Sequence, residues 1–496
     1  MNLSVLIGTI ILEIVIIVGI SWIIKLRQKS KSDVNHDFAT ASRGLPAVAI
    51  AATQALTCLG GGHIMGLPGG SSAFGVATLW YLIGSGIMIV LMMCVSGPWI
   101  RRFGFSNIPD IFEKMFDKRT AIMVSAFCCS SCFGILTVEI QGVGSVISAI
   151  TGSSIAMGCV IGGIIGLLYV IFGGMEEVGW VNVANAIVMY IGVFVAVLWM
   201  HNIIDGGWAT VNETYIARGE QWKLELFSNG ETWRIYIIGT LVACMFSQVV
   251  AGQSGQISAS AKNVKSLRRA AIIAVPLNTI FGALVIALYM GASVMPEYNS
   301  LPASPGFQNM AMIVGEMPAW LAAWVMASFA AAMLSTIAVQ LLVLSTIFTQ
   351  TIYCRYWKTD ATPKQQTRYI RIGIVVTCVF GTAMATILPE VMAAITWLFA
   401  WLLPGCWIFF FGLGWKRSKT AAFWSLIICG LFNCVWSFTS LPELVRLEGN
   451  NNSIGMLVVS VLVYVVIAAF DKNAEEGFAK LYLKNRNACV APDLVR

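Results

Sequence analysis

Residues 121–150 read AIMVSAFCCSSCFGILTVEIQGVGSVISAI, an unbroken apolar run in which Glu139 is the one charged residue. A bilayer core about 30 Å thick is crossed by about 20 helical residues, so this stretch spans it with length to spare. Comparable runs occupy 73–97, 154–173 and, in shorter form, 455–470. The rest of the chain has the same character. Of its 496 residues 58% are hydrophobic and 11% charged, and the mean hydropathy is +0.79. Soluble domains carry roughly 25% charged residues. Most of this molecule's surface therefore faces something other than water. Length alone would suggest two to four soluble domains, but the long apolar runs override that reading. The expected fold is an all-α membrane protein.

The formal net charge is +7. In a soluble protein this would hint at nucleic acid. Here nothing resembles a nucleic-acid module, and the basic residues fall in short loops between spans. The bilayer itself is the expected partner. Most of the 13 cysteines, among them Cys94, Cys128, Cys129, Cys132, Cys159 and Cys244, lie inside spans, where they act as small apolar fillers. The cluster Cys128-Cys129-x-x-Cys132 has no His or further Cys near it, which argues against a metal or redox centre. The run at 3–25 lacks a basic leader and an A-x-A site, so it reads as a retained span rather than a signal peptide.

About thirteen spans are expected. They lie near 3–25, 45–70, 73–97, 121–150, 154–173, 178–201, 234–258, 270–295, 317–352, 369–389, 391–413, 420–440 and 455–470. If the N-terminus is outside, the loops at 26–44, 98–120, 174–177, 259–269, 353–368 and 414–419 are cytoplasmic. Cytoplasmic loops are enriched in Lys and Arg. These loops hold Lys29, Lys31 and Arg43, then Arg101, Arg102, Lys114, Lys118 and Arg119. Lys262, Lys265, Arg268 and Arg269 follow, then Arg355, Lys358, Lys364 and Arg368, and finally Lys416, Arg417 and Lys419. Only 174–177 lacks a basic residue, whereas the opposite loops near 71–72, 151–153, 296–316 and 390 carry none. The loop at 202–233 carries both signs, and the one at 441–454 a single Arg446. The pattern places the N-terminus outside and the C-terminus inside. No soluble segment is long enough to build its own core.

Transporters built on inverted repeats often unwind one helix in each half, near the midplane, to make a binding site. The span 45–70 is interrupted at Gly60-Gly61-Gly62, and 234–258 at Gly252-Gln253-Ser254-Gly255-Gln256. Each heads a five-helix unit, 45–201 and 234–413. Around them the chain divides into a peripheral N-terminal helix and cytoplasmic loop (1–44), an extracellular loop (202–233), and two peripheral helices with a cytoplasmic tail (414–496).

The stretch 329–353, FAAAMLSTIAVQLLVLSTIFTQTIY, places Ser335 and Thr336 side by side in an apolar helix. Hydroxyls of this kind either bond back to their own helix or, with carbonyls from an unwound helix, offer hard oxygens to a sodium ion. The segment Ala331-Ala332-Met333-Leu334-Ser335-Thr336, followed by Gln340-Leu341-Leu342 and closing on Ile352-Tyr353, resembles the eighth core helix of the sodium:solute symporter family, its proline-transporter branch best. Ile64-Met65-Gly66-Leu67-Pro68-Gly69 resembles the end of that family's first core helix, and Gly173-Gly174-Met175 with Trp180 the start of its fifth. Ile108-Pro109-Asp110 and the segment from Ser260-Ala261-Lys262 to Arg268-Arg269 resemble its cytoplasmic loops. The resemblance covers roughly residues 40–415. It implies a LeuT-type pair of inverted five-helix repeats in a bacterial or archaeal inner membrane, in agreement with the repeat read from the interruptions. It also implies a sodium site made by the carbonyls of Leu56, Leu59 and Ala332 and the hydroxyls of Ser335 and Thr336.

The chain departs from the family pattern in several places. Where the fifth core helix usually reads Trp-Thr-Asp-x-x-Gln, this chain has Trp180-Val181-Asn182-x-x-Asn185. Loss of the acid at Asn182 speaks against a second sodium. Cys58 stands where the proline branch has an Asp, and Gln256-Ile257 where the family has Gln-Arg. Glu139 stands where Gln is common. Ionised, it would hold an ammonium or guanidinium group; protonated, it would couple transport to protons; the plain alternative is a hydrogen-bonded packing residue. His63 follows the glycine break and either contacts the solute or satisfies loose backbone groups. Gln54, Thr57, Asn182, Gln248, Gln253 and Ser254 complete the candidate solute pocket. Glu13, in the peripheral first span, is assigned to packing.

The expectation is therefore a sodium-coupled symporter of a small polar organic solute, an amino acid, amine or similar, working by alternating access, with Na+ as its one implied ion. A proton-coupled or exchange transporter of the same fold is the first rival. A membrane solute sensor is the second, although the tail after 470 is short for one. No nucleophile–base pair, ligand-spaced metal cluster or nucleotide loop suggests an enzyme, and no pore loop or charged ring suggests a channel.

Overall fold

The computed structural model describes residues 2–29, 38–171, 174–387, 391–444 and 452–484. Lys31, Gly173, Arg446, the expected turn at 390 and the tail beyond 484 lie outside the described residues. Among the described residues nine helices are long and apolar enough to cross a membrane, and four shorter apolar ones, Leu3–Ile16, Ala47–Cys58, Ile155–Val170 and Leu398–Gly414, complete thirteen spans. Each expected span is met by one of them. Their ends are set by side-chain caps that satisfy amide donors left over at a helix start. Asp117 accepts from the Thr120 N–H at 2.8 Å, Asn263 from that of Ser266 at 2.7 Å, and Thr362 forms a reciprocal capping box with Gln365.

The apolar surplus is divided between an interior and a belt. Ile164, Leu168, Phe194, Leu198 and Phe380 are each more than half exposed, which in water would be a serious liability and in a bilayer is the ordinary condition. The helical stretch Ala319–Tyr356 is the opposite case. It is 94% buried over its apolar window, against 28% for Pro363–Ala385 and Asn452–Phe470, so it is the post around which the other helices pack. Small residues permit the close approach that stabilises helix pairs in lipid. Gly158 of helix Ile155–Val170 lies on the backbone of Gly144 in helix Lys118–Thr151. Gly142 receives the sulfur of Met333, and Gly166 receives Ile337.

Three details differ from the sequence reading. Residues 174–177 are not a loop but the first turn of helix Gly174–Ile203. Gly174 adopts φ +59°, and Glu176 and Glu177 suit the positive end of a helix dipole. The loops at 98–120, 202–233 and 296–316 contain helices of their own, Ile108–Met115, Trp208–Ala217 and Pro305–Glu316. The second interruption falls ahead of the glycine cluster: helix Ile238–Ser247 passes into a tight turn at Gln248–Val250, Ala251 is extended, and Gly252–Ser260 is helical. Those glycines serve packing instead. A β-carbon on Gly252 would press on Val343 and Ile347, and one on Gly255 would meet the backbone of Ile108.

At the end that carries the basic loops, the chain is sewn together. The Leu45 N–H donates to Ser260 and the Lys262 N–H to Leu45, at 3.1 and 2.9 Å. Arg101 donates to the carbonyls of Ala261 and Lys262 at 2.5 and 2.8 Å. Arg355, just past the central helix, pairs with Asp110 at 3.2 Å and with Glu113. A short antiparallel pairing of Lys416–Arg417 with Glu475–Glu476 fastens the last described segment. At the opposite end Lys223 donates to the Ser72 carbonyl at 2.9 Å, and Gly306 packs on the backbone of Met65.

Two expected outcomes follow for the melting of detergent-purified protein. Gly158→Leu lowers the midpoint by the equivalent of about 1–3 kcal/mol or more, because its side chain has only the Gly144 backbone to push against, whereas Gly69→Ala, with nothing near its β-carbon, leaves the midpoint level or raises it. Arg101→Ala, which removes two charge-assisted bonds to the end of helix Gly252–Ser260, costs on the order of 2 kcal/mol. An unchanged midpoint would show that this seam carries no weight.

Candidate ion and solute site

The span headed by Ala47–Cys58 breaks at Leu59 and Gly60 and resumes at Gly61, through a wide turn at Gly62–Gly66, into Leu67–Phe74. A broken helix frees carbonyls before the break and amides after it. In a membrane interior each group left unpaired costs several kcal/mol. The structure answers both needs with side chains from other helices.

On the carbonyl side, Thr336 of helix Ala319–Thr346 reaches across. Its hydroxyl lies 3.2 Å from the Leu56 carbonyl, 3.4 Å from that of Thr57 and 3.2 Å from that of Ala332 in its own helix. The Ser335 hydroxyl lies 2.8 Å from the same Ala332 carbonyl. Leu56, Ala332, Ser335 and Thr336 are thus drawn to one spot, fully buried. One hydroxyl proton cannot serve three carbonyls at once. Such a cluster is oxygen-rich and proton-poor, with no charged side chain in it. Leu59 ends the helix, and its N–H donates to Ala55 and Leu56 at 2.9 and 3.0 Å. No hydrogen bond among the described residues ties the Leu59 carbonyl to the cluster.

On the amide side, the Gly61 N–H donates to Oε2 of Glu139 at 2.6 Å. A β-carbon on Gly60 would overlap both carboxylate oxygens, so the glycine pair is what admits the acid. His63 stands one turn on, fully buried, its ring edge-on to Tyr81 at 5.3 Å. Neither ring nitrogen makes a hydrogen bond of normal geometry, although the Cys58 backbone lies beside it. Gln54 donates to the Cys58 sulfur at 3.2 Å and leaves its oxygen unpartnered, as does the Thr57 hydroxyl.

The second break is closed by its own segment and by neighbouring helices. Ser254 donates to the Gln248 carbonyl at 2.5 Å, Gln253 to the Gln248 side chain at 3.1 Å, and Ser96 to the Val249 carbonyl at 2.7 Å. Cys128 and Cys132, set aside as fillers in the sequence, approach the Val250 carbonyl and the Gln253 side chain at 3.6 and 3.5 Å. Their i, i+4 spacing along helix Lys118–Thr151 is the signal that would have found them. Glu139 lies on that same helix, which therefore serves both breaks.

Asn182 lies apart from these groups. It accepts from Tyr169 at 3.3 Å, and Asn185 donates to the same Tyr169 oxygen at 2.9 Å. Glu13 of the peripheral first span is buried within electrostatic reach of Tyr169, one of its oxygens without a partner. A cavity of about 820 Å³ opens between the third, eighth and ninth core helices, Lys118–Thr151, Ala319–Tyr356 and Pro363–Ala385, lined by Phe133, Phe348, Tyr369, Val376 and Phe380. Its apolar walls suit acyl chains and contain none of the candidate residues.

The chain as a whole has relatives. The Sodium:solute symporter family profile matches residues 38–429. A sodium/glucose cotransporter of Vibrio parahaemolyticus is 24% identical over 434 residues, 82% of this chain and 80% of that one. The osmoregulated proline transporter OpuE of Bacillus subtilis is 22% identical over 498 residues, 95% and 97% of the two chains. Among solved structures, the substrate-bound outward-open state of a Na+-coupled sialic acid symporter superposes with a TM-score of 0.79 at 20% identity, covering 96% of this chain and 98% of that one. The nucleobase-cation-symport-1 family transporter Mhp1, closed around bromovinylhydantoin, gives 0.57 at 16% identity, covering 92% and 97%. The fold is thus the LeuT-type arrangement, and the chain belongs to the sodium:solute symporter family.

Proposed function

We propose that this protein is a secondary transporter that carries a small polar organic solute, an amino acid, amine or similar, together with sodium by alternating access. The observation that carries the reading is the convergence of Leu56, Ala332, Ser335 and Thr336 at the first break. Sodium favours several hard oxygens, and this cluster offers carbonyls and hydroxyls without burying a net charge. Leu59 is proposed as the remaining carbonyl. An ion there bridges the broken helix and the central post, so its binding favours one arrangement of the two repeats, 45–201 and 234–413. Solute binding beside the breaks, at His63, Glu139, Gln54, Thr57, Gln253 and Ser254, is then coupled to sodium reciprocally. Asn182 is kept as an outlying candidate. The seat is the cell membrane, N-terminus outside and C-terminus inside, where the potential adds about 2.3 kcal/mol per charge per 100 mV.

A proton-coupled reading of the same fold is favoured by one observation, the buried carboxylate of Glu139 beside a helix break.

The test is thermal melting of detergent-purified protein in NaCl and in KCl, for the native chain and for Ser335→Ala/Thr336→Ala. Sodium at about 100 times its dissociation constant stabilises the native state by about 2.7 kcal/mol, so sodium alone raises the native midpoint and the double variant loses that rise. Equal midpoints in sodium and potassium would turn the assignment toward protons, and Glu139→Gln would then be followed against pH.

A further inference from the structure

We infer that the transported solute is a small cation, an ammonium or guanidinium compound with no carboxylate of its own, and that Glu139 is its counter-ion. The inference rests on the symport reading above and deepens it.

The argument starts from the helix that resumes after the first break. It runs without interruption from Gly61 to Phe74, and its amino-terminal end presents free N–H groups at the positive end of a helix dipole. In transporters with broken helices such an end is where an anionic group of the solute sits. Here the position is already filled. Oε2 of Glu139 takes the Gly61 N–H at 2.6 Å, and the Gly60 β-position is occupied by the same carboxylate. The acid is 3% exposed, so it is a fixed part of the wall. The protein supplies from its own third core helix the anion that a carboxylated solute would otherwise bring.

The remaining groups beside the break agree. No fixed side-chain cation awaits a solute carboxylate here: among the described residues no buried polar side chain is a Lys or Arg. What the site has in surplus is acceptors. The Gln54 oxygen and the Thr57 hydroxyl are buried without partners, and a neutral His63, with the Cys58 backbone beside it, offers one ring nitrogen as an acceptor. The second oxygen of Glu139 takes no hydrogen bond from a described residue. An ammonium or guanidinium group is all donors and matches that set. A like charge opposite Glu139 costs several kcal/mol, which is a preference of at least about 100-fold.

The test uses the purified full chain in NaCl and matched pairs that differ by one carboxyl-bearing group: agmatine against arginine, putrescine against ornithine, choline against betaine. The expected result is that at least one decarboxylated member raises the melting midpoint while its partner requires about 100-fold more. Glu139→Gln should lose that response yet keep the sodium-over-potassium rise that reports an intact ion site. The inference is overturned if a carboxylated partner acts as strongly, if Glu139→Gln keeps the amine response, or if no amine acts on a chain that still responds to sodium. The native pairs decide the matter even where Glu139→Gln does not fold. Failure of sodium itself to raise the native midpoint would strike the symport reading instead, so the two failures are distinguishable.

Discussion

A backbone amide or carbonyl in the middle of a bilayer has no water to turn to, and the break at Leu59–Gly60 creates several such groups at once. The helix tolerates the break because two other helices bring polar atoms to it. Thr336 comes from the central post to the freed carbonyls of Leu56 and Thr57. Glu139 comes from the third core helix to the freed amide of Gly61. The glycine pair that weakens the helix is also the opening through which the carboxylate enters. Break, post and acid therefore form one arrangement, and removing any member leaves the others with an unpaired group in hydrocarbon.

The two breaks answer the same constraint differently. At the second, carbonyls at Gln248, Val249 and Val250 are approached one each by Ser254, Ser96 and Cys128, a closure with one neutral donor per carbonyl. At the first, the carbonyls of Leu56, Thr57 and Ala332 gather round the Thr336 hydroxyl, with the Ser335 hydroxyl and the Leu59 N–H as the further donors, a cluster of hard oxygens with no charged side chain in it. Pseudo-symmetry of the repeats explains why both helices break. The asymmetry in how they are satisfied is the reason the ion is proposed at the first break and not at the second.

Departures from the family pattern become intelligible in the same terms. Asn182 accepts from the Tyr169 hydroxyl, which in turn accepts from Asn185, so a neutral amide there is part of a hydrogen-bonded network. Glu139 is an added charge whose cost in the membrane is reduced by the amide it receives. One acid has been lost on the fifth core helix and one gained on the third, which moves the negative charge to the break.

The apolar runs and the alternation of basic loops are enough to read thirteen spans from the residues, because lipid demands long unbroken helices and their length is written locally. Ser335 and Thr336 likewise stand out as two hydroxyls in an apolar helix, and the structure brings the Thr336 hydroxyl to the carbonyls of the first break. What stayed hidden depends on contacts between distant segments. Gly252 and Gly255 look like the second break but are packing residues, because a missing side chain reads the same in either role until the neighbour is seen. Residues 174–177 look like a loop and are a helix start, since two glutamates are polar in sequence but favourable at a helix's positive end. Cys128 and Cys132 look like fillers and meet the second break. The sequence by itself determined that Glu139 lies in the membrane at a cost. Only the tertiary structure decided that it holds the amide of Gly61, because that bond joins residues 78 positions apart and exists only once the first and third core helices are packed together.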